Sequence, residues 1–252
     1  MAGGAGGGRY WEVDGVRGTA ILMMIAFHVA YDLDHFGGAR LAVDRGFWWA
    51  LARLTAFLFL LLVGVSLTLS YARASSRLSP GALRRKYVGR GLTLFFWGLL
   101  VTAVTWMVVP EGVIVFGVLH FIGVAVILAY PLLRCHRANL VLAIACMAMG
   151  AGLEGVTTDT PLLLWLGIPP EGFYTFDYFP LFPWFGVVCL GLFVGTTLYP
   201  RGRQVFALPD WSQVPGIREL AYLGRHSLAI YLLHQPVLVG LLWMAGTIDP
   251  RF

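Results

Sequence analysis

Charge is what this sequence has least of. Only 12 % of its 252 residues are Asp, Glu, Lys or Arg, against 58 % hydrophobic, and its mean hydropathy is +0.76. A soluble domain carries about 25 % charged residues, so a soluble enzyme or regulator is excluded. Lysine is scarcer still: Lys86 is the only one. That excludes a retinal protein, whose Schiff base needs a lysine in the last span. Three cysteines, Cys135, Cys146 and Cys189, are scattered without metal spacing and read as buried packing thiols. No HxxH or HxxxH pair occurs, and no metal is expected. A soluble basic face and a recognition motif are both missing, which speaks against nucleic acid as a partner. The Met1–Gly8 stretch has no basic n-region and reads as a flexible tail, not a signal peptide.

Long apolar runs are what the chain has in abundance. Runs of 18 or more mostly apolar residues predict an all-α, polytopic transmembrane bundle. Seven spans are expected at about 15–35, 46–71, 87–109, 113–133, 137–153, 179–199 and 221–245. They form one domain, 13–246, between a flexible 1–12 tail and a short 247–252 tail. Arginines gather in alternate loops: Arg73, Arg77, Arg84, Arg85, Lys86 and Arg90, then Arg134 and Arg137, then Arg201, Arg203, Arg218 and Arg225. The intervening loops are acidic or neutral, with Arg40 and Arg45 diluting the first. This bias predicts an N-terminus inside and a C-terminus outside, as a multi-pass protein of a bacterial or archaeal inner membrane. The 154–178 connection, rich in Pro and aromatics, is the natural cap for an outer cavity.

Ionisable residues at membrane depth are costly and mark function by default. His28 and Asp32 lie four residues apart on one face of the first span. Arg17 lies eleven residues before His28, about 16 Å along the helix axis on the same face. His120 and His234 fall in the middle-to-outer half of their spans, while His35, His136 and His226 sit at span ends. The plainest alternative for His28 and Asp32 is a hydrogen-bonded clasp that locks helix packing. A proton-coupled transporter relaying protons through His28, Asp32, His120 and His234 is the functional rival. An odd span count without an internal repeat argues against it.

Four blocks carry a resemblance. They are Asp14-Gly15-Val16-Arg17-Gly18 with the run to His28 and Tyr31-Asp32-Leu33; Phe116-Gly117-Val118-Leu119-His120-Phe121-Ile122-Gly123; Asp177-Tyr178-Phe179-Pro180-Leu181-Phe182-Pro183-Trp184-Phe185-Gly186; and Leu223-Gly224-Arg225-His226-Ser227 through Tyr231 to His234-Gln235-Pro236. In that order they resemble the heparan-α-glucosaminide N-acetyltransferase-like membrane proteins. The Arg17-x10-His28 spacing also resembles the first-helix motif of the wider transmembrane acyltransferase superfamily. The resemblance implies transfer of an acyl group, acetyl above all, from cytoplasmic acyl-CoA to a sugar or glycan acceptor at the outer face. It implies acyl-CoA as co-substrate and leaves homo-oligomerisation open. Under it, His28 is the general base or acyl carrier, oriented by Asp32 in the manner of a triad. His120 polarises the thioester or the acceptor. Arg17, with Arg84, Arg85 or Arg225, holds phosphate, and His234 joins the cofactor-binding set. In the animal relative an asparagine would stand at the position of His28, and the acetyl-accepting histidine follows the first span, where this sequence offers His35. His28 is therefore the first catalytic candidate and His35 the second.

Overall fold

The computed structural model describes residues 9–249. Among the described residues eight α-helices form: α1 Trp11–His35, α2 Gly46–Ala74, α3 Pro80–Val108, α4 Val118–Ala129, α5 Arg137–Gly152, α6 Leu181–Leu198, α7 Ile217–Arg225 and α8 Ser227–Met244. No strand occurs among the described residues; one isolated bridge joins Thr158 to Pro170. Of these helices α1, α2, α3, α6 and α8 are long and apolar enough to cross a membrane, and α4 and α5 are shorter apolar helices. The chain is an all-α integral membrane protein. Large apolar side chains face outward along α3 (Leu92, Phe96, Trp106, Met107) and α8 (Leu233, Val237, Leu241, Trp243), as lipid-facing helices require.

The structure adjusts four sequence boundaries. Helix α1 starts at Trp11, inside the expected 1–12 tail, whose Met1–Gly8 portion lies outside the described residues. Helix α3 starts at Pro80 rather than near 87, because Ser79 Oγ accepts the Ala82 amide at 3.4 Å and Pro80 opens the first turn. Arg84, Arg85 and Lys86 therefore stand on a helix, not in a loop. The fourth span shrinks to twelve helical residues. Residues 112–116 are held instead by the 175–179 segment: Phe176 N–H donates to Gly112 O at 3.2 Å and Phe179 N–H to Phe116 O at 3.1 Å. Pro131 ends the helix at the other side. The seventh span is two helices, strongly amphipathic α7 and apolar α8, broken at His226.

The chain packs as two compact units, one of residues up to Phe59 and from Leu208 onward, the other of Leu60–Ala207. In the first unit α1 and α7 cross with backbones in contact: a Cβ on Gly18 would sit 1.9 Å from Leu220 O, and one on Gly224 1.9 Å from Asp14 O. Small residues let membrane helices approach this closely. Helix α8 then runs beside α1 in the same direction. His28 meets His234, and further along the Asp249 N–H donates to Phe36 O at 3.3 Å.

In the second unit, glycines likewise set the crossings of α2 with α6 (Gly64, Gly191) and of α3 with α4 (Gly91, Gly123). The long 154–178 connection packs onto its own unit. Asp177 Oδ2 accepts the Val118 N–H at 2.9 Å at the start of α4, where a carboxylate also complements the helix dipole. Tyr178 donates to Leu164 O at 2.7 Å. Burial pushes its phenol up to about 12, so it stays a neutral donor and cannot act as a base.

Candidate active site

The polar cluster of the first unit is built by α1 and α8. His28 Nδ1 lies 2.8 Å from the carbonyl of Met24, one turn back on its own helix. A carbonyl can only accept, so Nδ1 carries the hydrogen and the neutral ring exposes its lone pair at Nε2. His234 repeats the device: Nδ1 donates to Tyr231 O at 2.7 Å, and Nε2 is buried with no hydrogen-bond partner. The two rings meet edge-on with centroids 4.7 Å apart and planes at 82°. One turn along α1, Asp32 is fully buried. Its Oδ1 accepts from Gln235 Nε2 at 2.6 Å, while Asp32 Oδ2 and Gln235 Oε1 are buried without partners. Buried polar atoms are nearly always satisfied. Three of the buried polar atoms without partners among the described residues thus fall on Asp32, His234 and Gln235.

Asp32 is not the group that orients His28. No hydrogen bond joins the two among the described residues; the Met24 carbonyl fixes the imidazole and Gln235 takes the carboxylate. The triad expectation fails because Asp32, one turn on, turns to α8 rather than back along α1. His234, expected with the cofactor-binding residues, packs on His28. Gln235 is the residue that sequence reasoning missed. It adjoins His234 in the motif, but only the α1–α8 contact reveals its carboxylate partner.

Gln235→Leu is expected to cost about 1–3 kcal/mol, the penalty of stranding a buried acceptor. Thermal unfolding in detergent reads this as a fall of several degrees. Adding Asp32→Asn should recover much of it, and an unchanged midpoint in Gln235→Leu would contradict the contact.

The remaining residues fall elsewhere. Arg17 lies near the start of α1, with Nη1 2.8 Å from Asp14 Oδ1 and 3.4 Å from Gly224 O. Arg225 is exposed with its guanidinium 6.0 Å from the Tyr222 ring. His35 is exposed at the end of α1, stacked on Tyr31 at 5.5 Å. Arg84 and Arg85 belong to the second unit, exposed on the first turns of α3 beside Ser79 and Val88. His120 also belongs there, 1 % exposed. Its Nε2 lies 3.3 Å from Thr102 Oγ1, whose single hydrogen goes to Ile114 O at 2.6 Å. The ring is walled by Phe95, Phe116 and the backbone of Gly98, where a Cβ would come within 2.9 Å of it. His120 is thus enclosed within the second unit, with Nδ1 buried and without a hydrogen-bond partner among the described residues. Among the described residues no group of His, Cys, Asp and Glu is arranged to hold a metal ion.

The sequence model for "Heparan-alpha-glucosaminide N-acetyltransferase, catalytic" matches residues 9–236, which spans α1 to His234 and Gln235. The chain belongs to this family. The heparan-alpha-glucosaminide N-acetyltransferase catalytic family is a membrane acyltransferase class, so the α1–α8 cluster sits in a transferase domain. No curated protein and no solved structure matches the chain. The family match ends at Pro236, one residue after Gln235, and covers every residue of the cluster.

Proposed function

We propose that the chain transfers an acyl group, acetyl first of all, from acyl-CoA on the inner side to a sugar or glycan hydroxyl or amine on the outer side. The observation that carries this reading is the His28–His234 pair. Each imidazole is anchored through Nδ1 to its own helix, and the lone pair of each Nε2 is left for chemistry. His28 Nε2 takes the proton of the acceptor as its oxygen or nitrogen attacks the thioester carbonyl carbon. The carbon–sulfur bond breaks, and the same proton passes from His28 to the departing CoA sulfur. His234 Nε2, Asp32 Oδ2 and Gln235 Oε1 accept hydrogen bonds from the acceptor and orient it. The donor's phosphates rest at Arg17, about 16 Å along α1 from His28. Family membership favours transfer over proton-coupled transport. His35 remains the second candidate base, in case an acceptor is presented at the outer end of α1.

The parallel course of α1 and α8 supports an odd number of crossings between them, as the N-inside, C-outside orientation requires. The arginine-rich connections agree with it. In a background lacking Cys135, Cys146 and Cys189, Ser75→Cys should label only from inside and Thr158→Cys only from outside. In proteoliposomes, acetyl-CoA should release free CoA only when supplied on the Ser75 side together with an amino-sugar acceptor on the other. Labelling of Ser75→Cys from outside, or turnover with donor on the Thr158 side, would overturn the reading.

A further inference from the structure

We propose that Asp14 is the positioning residue of a two-arginine phosphate cradle, holding Arg17 and Arg9 for the phosphate groups of the acyl-CoA donor. The proposal rests on the acyltransferase reading above and adds two residues to it. An acidic residue in the first turn of a helix ordinarily does no more than complement the helix dipole from water, and Glu12 already stands there. Asp14 differs, being only 4 % exposed. It accepts from Arg9 Nε at 2.9 Å and Arg9 Nη2 at 3.3 Å on one side, and from Arg17 Nη1 at 2.8 Å on the other. Arg17 is pinned a second time by the Gly224 carbonyl at 3.4 Å. That contact exists because Gly18 and Gly224 let α7 touch α1.

The consequence is a guanidinium fixed by two helices before any ligand arrives. A preformed donor loses less freedom on binding a phosphate than a mobile one. The planar guanidinium suits a phosphate's paired oxygens. The Arg9 side chain is 58 % exposed, so a phosphate can reach it from water. A phosphate ester is the chemistry this cradle takes. The donor supplies it, and an anionic lipid headgroup is the other source the test must separate.

The test uses the full chain in detergent, with CoA and pantetheine as probes in an equilibrium-binding measurement that needs no acceptor. Wild type should prefer CoA. Asp14→Asn should weaken CoA by about tenfold, one charge-assisted hydrogen bond's worth, and leave pantetheine within about twofold. Asp14→Glu should keep most of the CoA affinity. Equal losses on both probes, or no loss on either, would overturn the proposal. So would weaker binding of phosphatidylglycerol vesicles by Asp14→Asn with CoA unchanged, which would assign the phosphate to lipid. If Asp14→Asn does not fold, Arg17→Lys keeps the charge but not the fork. It should show the same selective loss of CoA, and a loss on both probes again overturns the cradle. Wild type that binds neither probe would instead defeat the acyltransferase reading itself.

Discussion

His28→Ala is expected to lower acyl transfer by about 10²–10⁴-fold, the range for removing a general acid–base group, with little change in folding. The ring's one hydrogen bond goes to Met24 O, a carbonyl on its own helix, so its loss leaves no stranded buried charge. The ring also packs against those of His234 and Phe27, with centroids at 4.7 Å and 5.5 Å. His28→Gln is the sharper variant: the amide can still donate to Met24 O but cannot carry a proton between acceptor and sulfur. It should keep the wild-type midpoint of unfolding without restoring turnover. Asp32→Asn should lose less than His28→Ala, since Asp32 touches Gln235 and not His28. A stable His28→Ala enzyme with full turnover would move the chemistry to His234 or His35.

The largest stability effects should come from the glycines at the α1–α7 crossing. An added methyl at Gly18 or Gly224 would sit 1.9 Å from a backbone carbonyl oxygen of the other helix. Backbone cannot step aside as a side-chain end can. Gly18→Ala or Gly224→Ala should therefore cost at least ~3 kcal/mol, the upper end for overpacking. Gly15 is the internal control. It lies one turn away on the same helix with nothing within 4 Å of a built Cβ. Gly15→Ala should stabilise by up to ~1 kcal/mol through helix propensity alone. Unfolding in detergent separates the two cases, and a Gly224→Ala protein as stable as Gly15→Ala would contradict the crossing.

Much of this architecture is legible in the residues. Apolar runs mark the five long helices, since a bilayer allows few other solutions for a buried backbone. The spacing from Arg17 to His28 and Asp32 places three polar groups on α1 by periodicity alone. Local chemistry that overrides hydropathy is harder to read. The 112–116 stretch is as apolar as a span, yet the carbonyls of Gly112, Val113 and Phe116 are taken by Phe176, Thr175 and Phe179 from a distant connection. The break at His226 falls inside the 221–245 stretch expected as one span. Pairings between helices are not written in either helix. Asp32 four residues after His28 suggests a dyad, and only packing shows that Gln235, 203 positions away, takes the carboxylate. His120 shows the converse. Its sequence setting resembles a functional histidine, but Gly98, Phe95 and Phe116 close around it.

The most direct test of the central claim is an experimental density map of the full chain with a non-hydrolysable acetyl-CoA analogue. The account predicts phosphates at Arg17 and Arg9, the pantetheine arm running along α1, and the thioester carbonyl carbon about 3–4 Å from where an acceptor would be held against His28 Nε2. An analogue whose thioester lies away from both His28 and His234 would contradict it.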